Sequence, residues 1–409
     1  MTASRRPAVV VLSTLFPSLQ DPIAGVFIKE RMFRVARHLP VTVVSPQPWF
    51  PLQHLIRRWK PGYRPERAAF ELIDDIEVHR PRFLSLPGLL RRLDGVSVAL
   101  ATWPLLRRLR HAGRADLLDA HFAYPDGYAG HLLAKWCGLP YVVTLRGKEE
   151  RLRQVASFRV RMALAMKHAT KVVAVSEALR QVGLELGARE ADSVVIGNGV
   201  DLEKFERVPR AEARLALGID VEAQVLVSIG GVGERKGFHR VIECVPELLR
   251  DHPKLLLLII GGPSPDGDWT DRLRQMVLDQ GLNDHVRLLG PLPPEALKTP
   301  LSGADVFVLA TRYEGWANVF LEAMACGLPV VTTRVGGNAE VVSRSELGTL
   351  VPFDDRAALT SAIHKALVHP WDFFFIQHFA RSNSWDRRID SVVRVLRDAA
   401  TTGAVRKSL

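Results

Sequence analysis

A chain of 409 residues exceeds what one hydrophobic core usually serves, so two domains are expected. Its 47% hydrophobic and 24% charged content excludes a disordered or fibrous chain. Cys137, Cys244 and Cys326 are too scattered for a disulfide framework or a zinc cluster, and a cytoplasmic location follows as the expectation. The net charge of +11 is uneven: residues 1–200 carry 30 Lys and Arg against 17 Asp and Glu, residues 201–409 carry 25 against 27. The basic surplus of the first half calls for an anionic partner, whether nucleic acid, a membrane surface or a phosphorylated acceptor.

Along the chain, "MTASRRPAVVVLSTLFP" has the look of a signal peptide, but Ser13 and Thr14 interrupt the apolar stretch and no small-residue cleavage site is evident. It reads as a first strand, Ala8 to Ser13, followed by a helix over Val26 to Leu39 and a strand over Val41 to Pro46. The segments "ADLLDA", "YVVTLRG" and "KVVAVSE" continue the alternation. A second series comprises "VLVSIGG" (Val225 to Gly231), a helix from Gly237, "KLLLLIIGG", "VRLLG", "DVFVLAT" and "PVVTT". Its longest aliphatic run, Leu255 to Ile260, is far too short to span a bilayer. Alternating strands and helices indicate parallel sheets covered by helices. The reading is therefore α/β, with two doubly wound domains over 1–200 and 201–381, a joint near Asn198 to Arg210 and a last amphipathic helix within 382–409.

The segment from Gln47 to about Arg114 breaks the alternation. "LPGLLRRL" (Leu86 to Leu93) and "WPLLRRLR" (Trp103 to Arg110) place leucines and arginines at helical spacing, with Trp49, Trp59 and Trp103 beside basic groups. Such a face suits a helix lying on an anionic membrane, as well as a core helix with a solvated basic side. On the membrane reading Arg91, Arg92, Arg107 and Arg108 meet the headgroups, while Leu89, Leu90, Trp103, Leu105 and Leu106 insert.

Two stretches point to chemistry. "SIGGVGERKGF" (Ser228 to Phe238) follows a strand and opens a helix, the geometry that holds phosphate on backbone N–H groups. It is neither a Walker loop nor a dinucleotide fingerprint. "TRYEGWANVFLEAMACGLPVV" (Thr311 to Val331) carries Glu314 before a helix of Val319 to Cys326, with Asn318 as expected N-cap, Glu322 inside and Gly327 as the stop. Two carboxylates beside phosphate-friendly loops at the carboxyl edge of a parallel sheet suit a nucleotide sugar. "DGD" (Asp266 to Asp268) sits in a Pro/Gly-rich loop and reads as a solvated turn, so no obligatory metal is expected.

The stretch "YEGWANVFLEAMACGLPVVTTRVGGNAEVV" resembles the donor-site signature of family 4 glycosyltransferases, retaining enzymes with the GT-B fold of two Rossmann-like domains facing a cleft. "DPIAGVFIKE", "DAHFAYPDG", "VTLRGKE", "VVAVSE" and "NGVDLEKF" look like further family landmarks in order. The resemblance implies that Glu314 contacts hydroxyls of the donor sugar, Glu322 the ribose, and the backbone of Gly315, Trp316, Ala317, Asn318 and Val319 the sugar and diphosphate. It implies that Lys236 stabilises the diphosphate beside Gly230, and that Gly25 lies near the donor phosphate. It places His121 near the transferred sugar, and Arg146, Gly147 and Lys148, expected on the acceptor side, where the family commonly has a histidine-glycine pair. The family usually has an arginine where this chain has Gly231, a place Arg235 is expected to fill. The last helix is expected to return to the first domain.

The expected partners are a nucleotide diphosphate sugar, with no further cofactor, and a lipid-linked or saccharide acceptor at the inner face of an anionic membrane. Rival readings are a GT-B sugar-nucleotide epimerase and, given the pI of about 9.9, a nucleic-acid-binding protein. No nucleic-acid motif accompanies the charge. A glycosidase also uses two carboxylates, but the phosphate-friendly loops disfavour it.

Overall fold

The computed structural model describes residues 5–22, 24–59, 63–86, 88, 90–264 and 267–408, with side chains through Thr402. Contacts divide it into two units, Met1–Asn198 with Asp386–Leu409, and Gly199–Trp385.

The first unit has strands β1 (Val9–Leu12), β2 (Val41–Val44), β3 (Gln47–Trp49), β4 (Phe70–Ile73), β5 (Ile76–His79), β6 (Arg82–Leu84), β7 (Leu117–His121), β8 (Tyr141–Leu145), β9 (Lys171–Ala174) and β10 (Ser193–Val195). Eight of these form one sheet in the order β10-β9-β8-β7-β1-β2-β5-β4. Its pairings are parallel except β4 with β5, a two-residue hairpin through Asp74 and Asp75, both at positive φ. Strands β3 and β6 pair as a separate parallel ribbon. The central strands are wholly buried because helices cover both faces: Val9 to Leu12 is a run of β-branched and aliphatic residues, and Leu117 to His121 is buried throughout, Asp119 and His121 included. Each such aliphatic side chain contributes about 1.5–3 kcal/mol.

The second unit has β11 (Gln224–Ile229), β12 (Leu255–Ile260), β13 (Val286–Gly290), β14 (Val306–Leu309), β15 (Val330–Thr333) and β16 (Gly348–Val351) in one parallel sheet. Its order is β13-β12-β11-β14-β15-β16. The chain winds outward one way from β11 and then the other way from β14, so the loops after these two strands part at a topological switch point, where open α/β sheets bind ligands. In the first unit the corresponding neighbours are β1 and β7.

Four expectations are corrected. The helix after β14 runs Asn318–Ala325, with extended Ala317 at the N-cap and no side-chain cap, so Asn318 is its first helical residue. The described residues of 86–93 do not form the expected helix: β6 ends at Leu84, Leu90 takes φ 55° and a single 3-10 turn, Arg91–Leu93, follows. In the helix Asp94–His111, Leu105 and Leu106 are buried with Val98, Thr102 and Leu109, so they line the core and cannot insert in a membrane. Leu89 and Asp266 lie outside the described residues. The last helix begins at Trp385, after a separate helix Phe373–Ser382. Helices of the first unit used below are α1 (Val26–Ala36), α2 (Gln53–Trp59), α3 (Asp94–His111), α4 (Tyr128–Cys137) and α5 (Lys148–Leu152).

Candidate active site

In the second unit the two loops at the switch point meet. After β11 the chain passes Gly230 and Gly231, makes one 3-10 turn over Glu234–Lys236 and reaches Gly237 at φ 72°. A Cβ at Gly237 would lie 1.9 Å from the carbonyl oxygen of Ala310 at the end of β14, so only glycine lets the turn come this close. The absent side chain at Gly230 leaves room for the Lys236 methylenes, 3.3 to 3.5 Å from where a Cβ would stand. From the other loop, Arg312 N–H and the Thr311 hydroxyl donate to the carbonyl of Arg235, at 2.8 and 3.1 Å.

This locking brings three predicted residues together. Lys236 Nζ donates to Glu314 Oε2 at 2.8 Å, and Arg235 Nη1 donates to the same oxygen at 3.0 Å and to the Tyr313 carbonyl at 2.9 Å. The Glu314 and Lys236 side chains are largely buried and Arg235 is partly exposed. Two cations on one carboxylate leave a local positive surplus in a half of the chain that is otherwise slightly acidic. The loop after β15 buttresses Glu314 from behind. Gly337 N–H donates to its carbonyl at 3.1 Å, and a Cβ at Gly336, φ 48°, would fall 1.9 Å from that oxygen. Asn338 ties the loop to β15 through the Thr333 carbonyl at 2.9 Å.

Gly315 and Ala317 are buried, Trp316, Asn318 and Val319 partly so, and Glu322 lies one turn into the following helix, half-buried. A side chain at Gly231 would meet Ser264 Cβ at 2.6 Å, so an arginine there requires Ser264 to move. The guanidinium on Glu314 comes instead from Arg235, four residues on. Asp268 caps its own turn, accepting from Thr270 N–H at 3.0 Å and the Thr270 hydroxyl at 2.6 Å. Among the described residues no group of His, Cys, Asp and Glu has the arrangement of a metal site.

In the first unit the loops after β1, β7 and β8 form a second cluster. Arg146 Nε donates to His121 Nδ1 at 2.9 Å, which leaves the imidazole proton on Nε2, 3.3 Å from Asp119 Oδ2. His121 is fully buried, and desolvation with Arg146 nearby lowers its pKa to about 4 against the opposing pull of Asp119. The ring is neutral at pH 7. Burial alone would raise Asp119, yet His121, Arg146 and Arg31 outweigh it and hold the carboxylate below its usual range. Arg146 also donates to Asn198 Oδ1 at 3.2 Å, and its guanidinium lies 5.1 Å from the Phe27 ring. Lys148 is exposed, with Nζ 4.5 Å over the Phe122 ring. Gly25 caps α1 at φ 68°, where a Cβ would meet the Leu15 carbonyl at 2.6 Å.

Sequence reasoning did not single out the acids that hold this cluster. Glu149 of α5, buried, accepts from the N–H groups of Ala123, Arg146 and Gly147. Asp126, wholly buried, accepts from Thr14 N–H at 2.8 Å and the Thr14 hydroxyl at 3.0 Å, joining the β7 loop to the β1 loop. Arg31 of α1, also buried, donates to the carbonyls of Ile196 and Gly197 at 2.7 and 3.2 Å. The only signal was an acid or arginine inside an apolar-periodic segment.

Burial pushes the Asp126 carboxyl up from 3.8 to about 7, although both Thr14 bonds oppose it. The folded state therefore holds this proton over a window in which the unfolded chain has released it. The group's contribution falls as pH rises from about 4 to about 7 and is flat beyond. Asp126→Asn should remove this dependence: relative to wild type it gains on the order of 2 kcal/mol between about pH 5 and pH 8. Denaturant unfolding at the two pH values measures it; a constant difference would show that Asp126 is ionised throughout.

Residues 34–204 match the family model described as Glycosyltransferase Family 4, and residues 209–372 match that of Glycosyl transferases group 1. A D-inositol 3-phosphate glycosyltransferase of Saccharomonospora viridis is 30% identical over 313 residues, spanning 70% of this chain and 71% of that protein. The chain belongs to the family 4 glycosyltransferases. TuaC of Bacillus subtilis, named as a teichuronic acid biosynthesis glycosyltransferase, is 27% identical over 372 residues, 88% of this chain and 90% of that one. Among solved structures, Anabaena HepE in complex with UDP superposes with a TM-score of 0.71 at 19% identity, covering 96% of this chain and 100% of that one. This glycosyltransferase thus has the GT-B fold expected from its sequence, two Rossmann-like domains with parallel sheets.

Proposed function

We propose that this glycosyltransferase moves a sugar, with retention at the anomeric carbon, from a nucleoside diphosphate sugar to a lipid-linked or growing saccharide acceptor in the synthesis of a cell-envelope or extracellular polysaccharide. The observation that carries the donor half is the meeting of Arg235, Lys236 and Glu314 at the switch point between β11 and β14. A diphosphate arriving beside Lys236 and Arg235 finds two donors already oriented, with Lys236 largely shielded from solvent, where charge stabilisation of a leaving group is strongest. As the phosphates engage the cations, Glu314 is released to accept from sugar hydroxyls. Glu322, farther along the helix, takes the ribose hydroxyls. The departing phosphate oxygen accepts the proton of the attacking acceptor hydroxyl, so the bond to the leaving group breaks as the new glycosidic bond forms on the same face. The cation pair does the work that a divalent ion does in other transferases. UDP in the HepE complex supports a nucleotide donor.

For the acceptor, the support is the basic first half and the relatives' names, which concern inositol phosphate and teichuronic acid, both anionic. We place the reaction at the cytoplasmic face of an anionic membrane, reached peripherally; no helix among the described residues is long and apolar enough to cross one.

Steady-state kinetics with varied donor test the division of labour. Glu314→Gln should lower kcat by about tenfold or more with little change in donor KM, whereas Glu322→Ala should chiefly raise donor KM. Wild-type constants in both variants would remove the pair from the mechanism. Activity should survive EDTA; complete loss restored by Mn²⁺ would overturn the role given to the cation pair.

A further inference from the structure

Helix α2 carries its apolar stripe on the wrong side for a surface helix. Leu55 and Trp59 stand at i and i+4 of the helix and share one face, and Leu52 precedes it at φ 67°; the exposures of Leu52, Leu55 and Trp59 are 62, 41 and 89%. A surface helix ordinarily turns such a stripe toward the core. On the inner side stand Gln53, Ile56 and Arg57, while His54 and Arg58 are exposed. Gln53 is buried, and Arg57 folds back to donate to the carbonyls of Tyr63 and Arg64 at 3.3 and 2.6 Å and to Glu66 at 2.9 Å. The arrangement is tied down, so the outward leucines are a fixed feature of the fold.

The ribbon leading into α2 repeats the pattern at strand spacing. Trp49 of β3 pairs in register with Leu84 of β6, and both are exposed, while Phe83 between Arg82 and Leu84 is buried. One face of the ribbon therefore presents Gln47 and Arg82 in one row and Trp49 and Leu84 in the next. Arg58 on α2 and Arg82 on the ribbon are both exposed beside these apolar groups. The elements follow β2 and β5, so they project from the carboxyl edge of the first unit's sheet, the edge that also carries His121, Arg146 and Lys148.

We propose that the α2 stripe is a wedge that enters the interfacial layer of an anionic lipid bilayer. Leu52, Leu55 and Trp59 insert, Trp49 and Leu84 support them at the headgroup level, and Arg58 and Arg82 pair with lipid phosphates. The choice of a bilayer over a protein partner rests on charge: exposed arginines frame the apolar stripe, and the first half of the chain carries the whole basic surplus, which together match an anionic surface. The inference rests on the membrane-associated reading above. It replaces Leu105 and Leu106, which the core occupies, with residues outside α3.

Flotation with vesicles of phosphatidylcholine, alone or mixed with phosphatidylglycerol, tests it on the full chain. Wild type should bind the mixed vesicles, and the binding should weaken with salt without vanishing. The variant Leu52→Ser, Leu55→Ser, Trp59→Ser should bind them at least tenfold more weakly with an unchanged melting temperature. Because all three side chains are exposed, the fold should tolerate the changes. Should the triple variant melt early, Trp59→Phe decides: brominated lipids should quench wild-type fluorescence, and the single variant should lose the part of that quenching that Trp59 carries, keeping only the weaker part from Trp49 at the headgroups. Undiminished binding by a folded triple variant, or undiminished quenching in Trp59→Phe, would overturn the wedge and leave the membrane reading standing. No binding of wild type to either vesicle would overturn both. A wild-type dimer that the triple variant abolishes would show a second copy on this face and also overturn the wedge.

Discussion

Lys236→Ala should lower kcat/KM by about ten- to a hundredfold, the scale of one charge-assisted hydrogen bond of roughly 1.5–3 kcal/mol lost from the transition state. The expectation follows from the burial of Lys236 against Glu314 at 2.8 Å, in a place where screening by water is weak. Arg235 remains on the same carboxylate oxygen at 3.0 Å, so Glu314 keeps a partner and the local fold should be preserved. The loss is thus assigned to the diphosphate rather than to a collapsed loop. Unchanged melting temperature alongside the kinetic loss checks this. A loss below threefold would show that Arg235 alone carries the phosphates, and the double variant with Arg235→Ala would then show the missing effect.

Gly237→Ala should be more damaging, although it touches no predicted ligand contact. The residue adopts φ 72°, which costs a side-chain-bearing residue about 1–2 kcal/mol by itself. The added methyl must in addition clear the Ala310 carbonyl, 1.9 Å away, so the β11 loop has to withdraw from the end of β14. Withdrawal separates Lys236 and Arg235 from Glu314. A fall of about 3 kcal/mol or more in unfolding free energy is expected, with loss of nearly all activity. Gly218→Ala is the control, since its φ is 59° but nothing lies within 4 Å of its Cβ position. It should cost only the conformational part. Equal effects of the two substitutions would show that the Gly237 turn relaxes freely.

The parallel strands were legible because burial on both faces demands continuous aliphatic runs. Leu255 to Ile260 is six such residues, all buried. The donor loops were legible for a different reason: lysine and glutamate at strand ends add nothing to an apolar core, and the glycines beside them mark turns that come close to other backbone. What periodicity does not say is which way a stripe faces. The leucines of α3 share helical spacing with arginines and read equally well as membrane-facing or core-facing, and tertiary packing chose the core. Helix α2 is only seven residues long and set among arginines, so the sequence marks Trp59 beside basic groups but not the outward face it shares with Leu55, which accompanies the turning of Arg57 toward the Tyr63 and Arg64 carbonyls. The β4–β5 hairpin was missed because Asp-Asp is a less familiar pair than Asn-Gly at two positive φ angles. Asp126 and Glu149 became visible only when the β1, β7 and β8 loops were placed together.

Melting the protein with a panel of nucleoside diphosphate sugars, in wild type and in Lys236→Ala, tests the donor site most directly. A ligand at a hundred times its dissociation constant stabilises a native protein by about 2.7 kcal/mol. One nucleotide sugar should raise the melting temperature of wild type, and the shift should shrink sharply in Lys236→Ala at the same concentration. An equal shift in both proteins would contradict the placement of the diphosphate beside Lys236, and no shift with any nucleotide sugar at saturating concentration would contradict the donor itself.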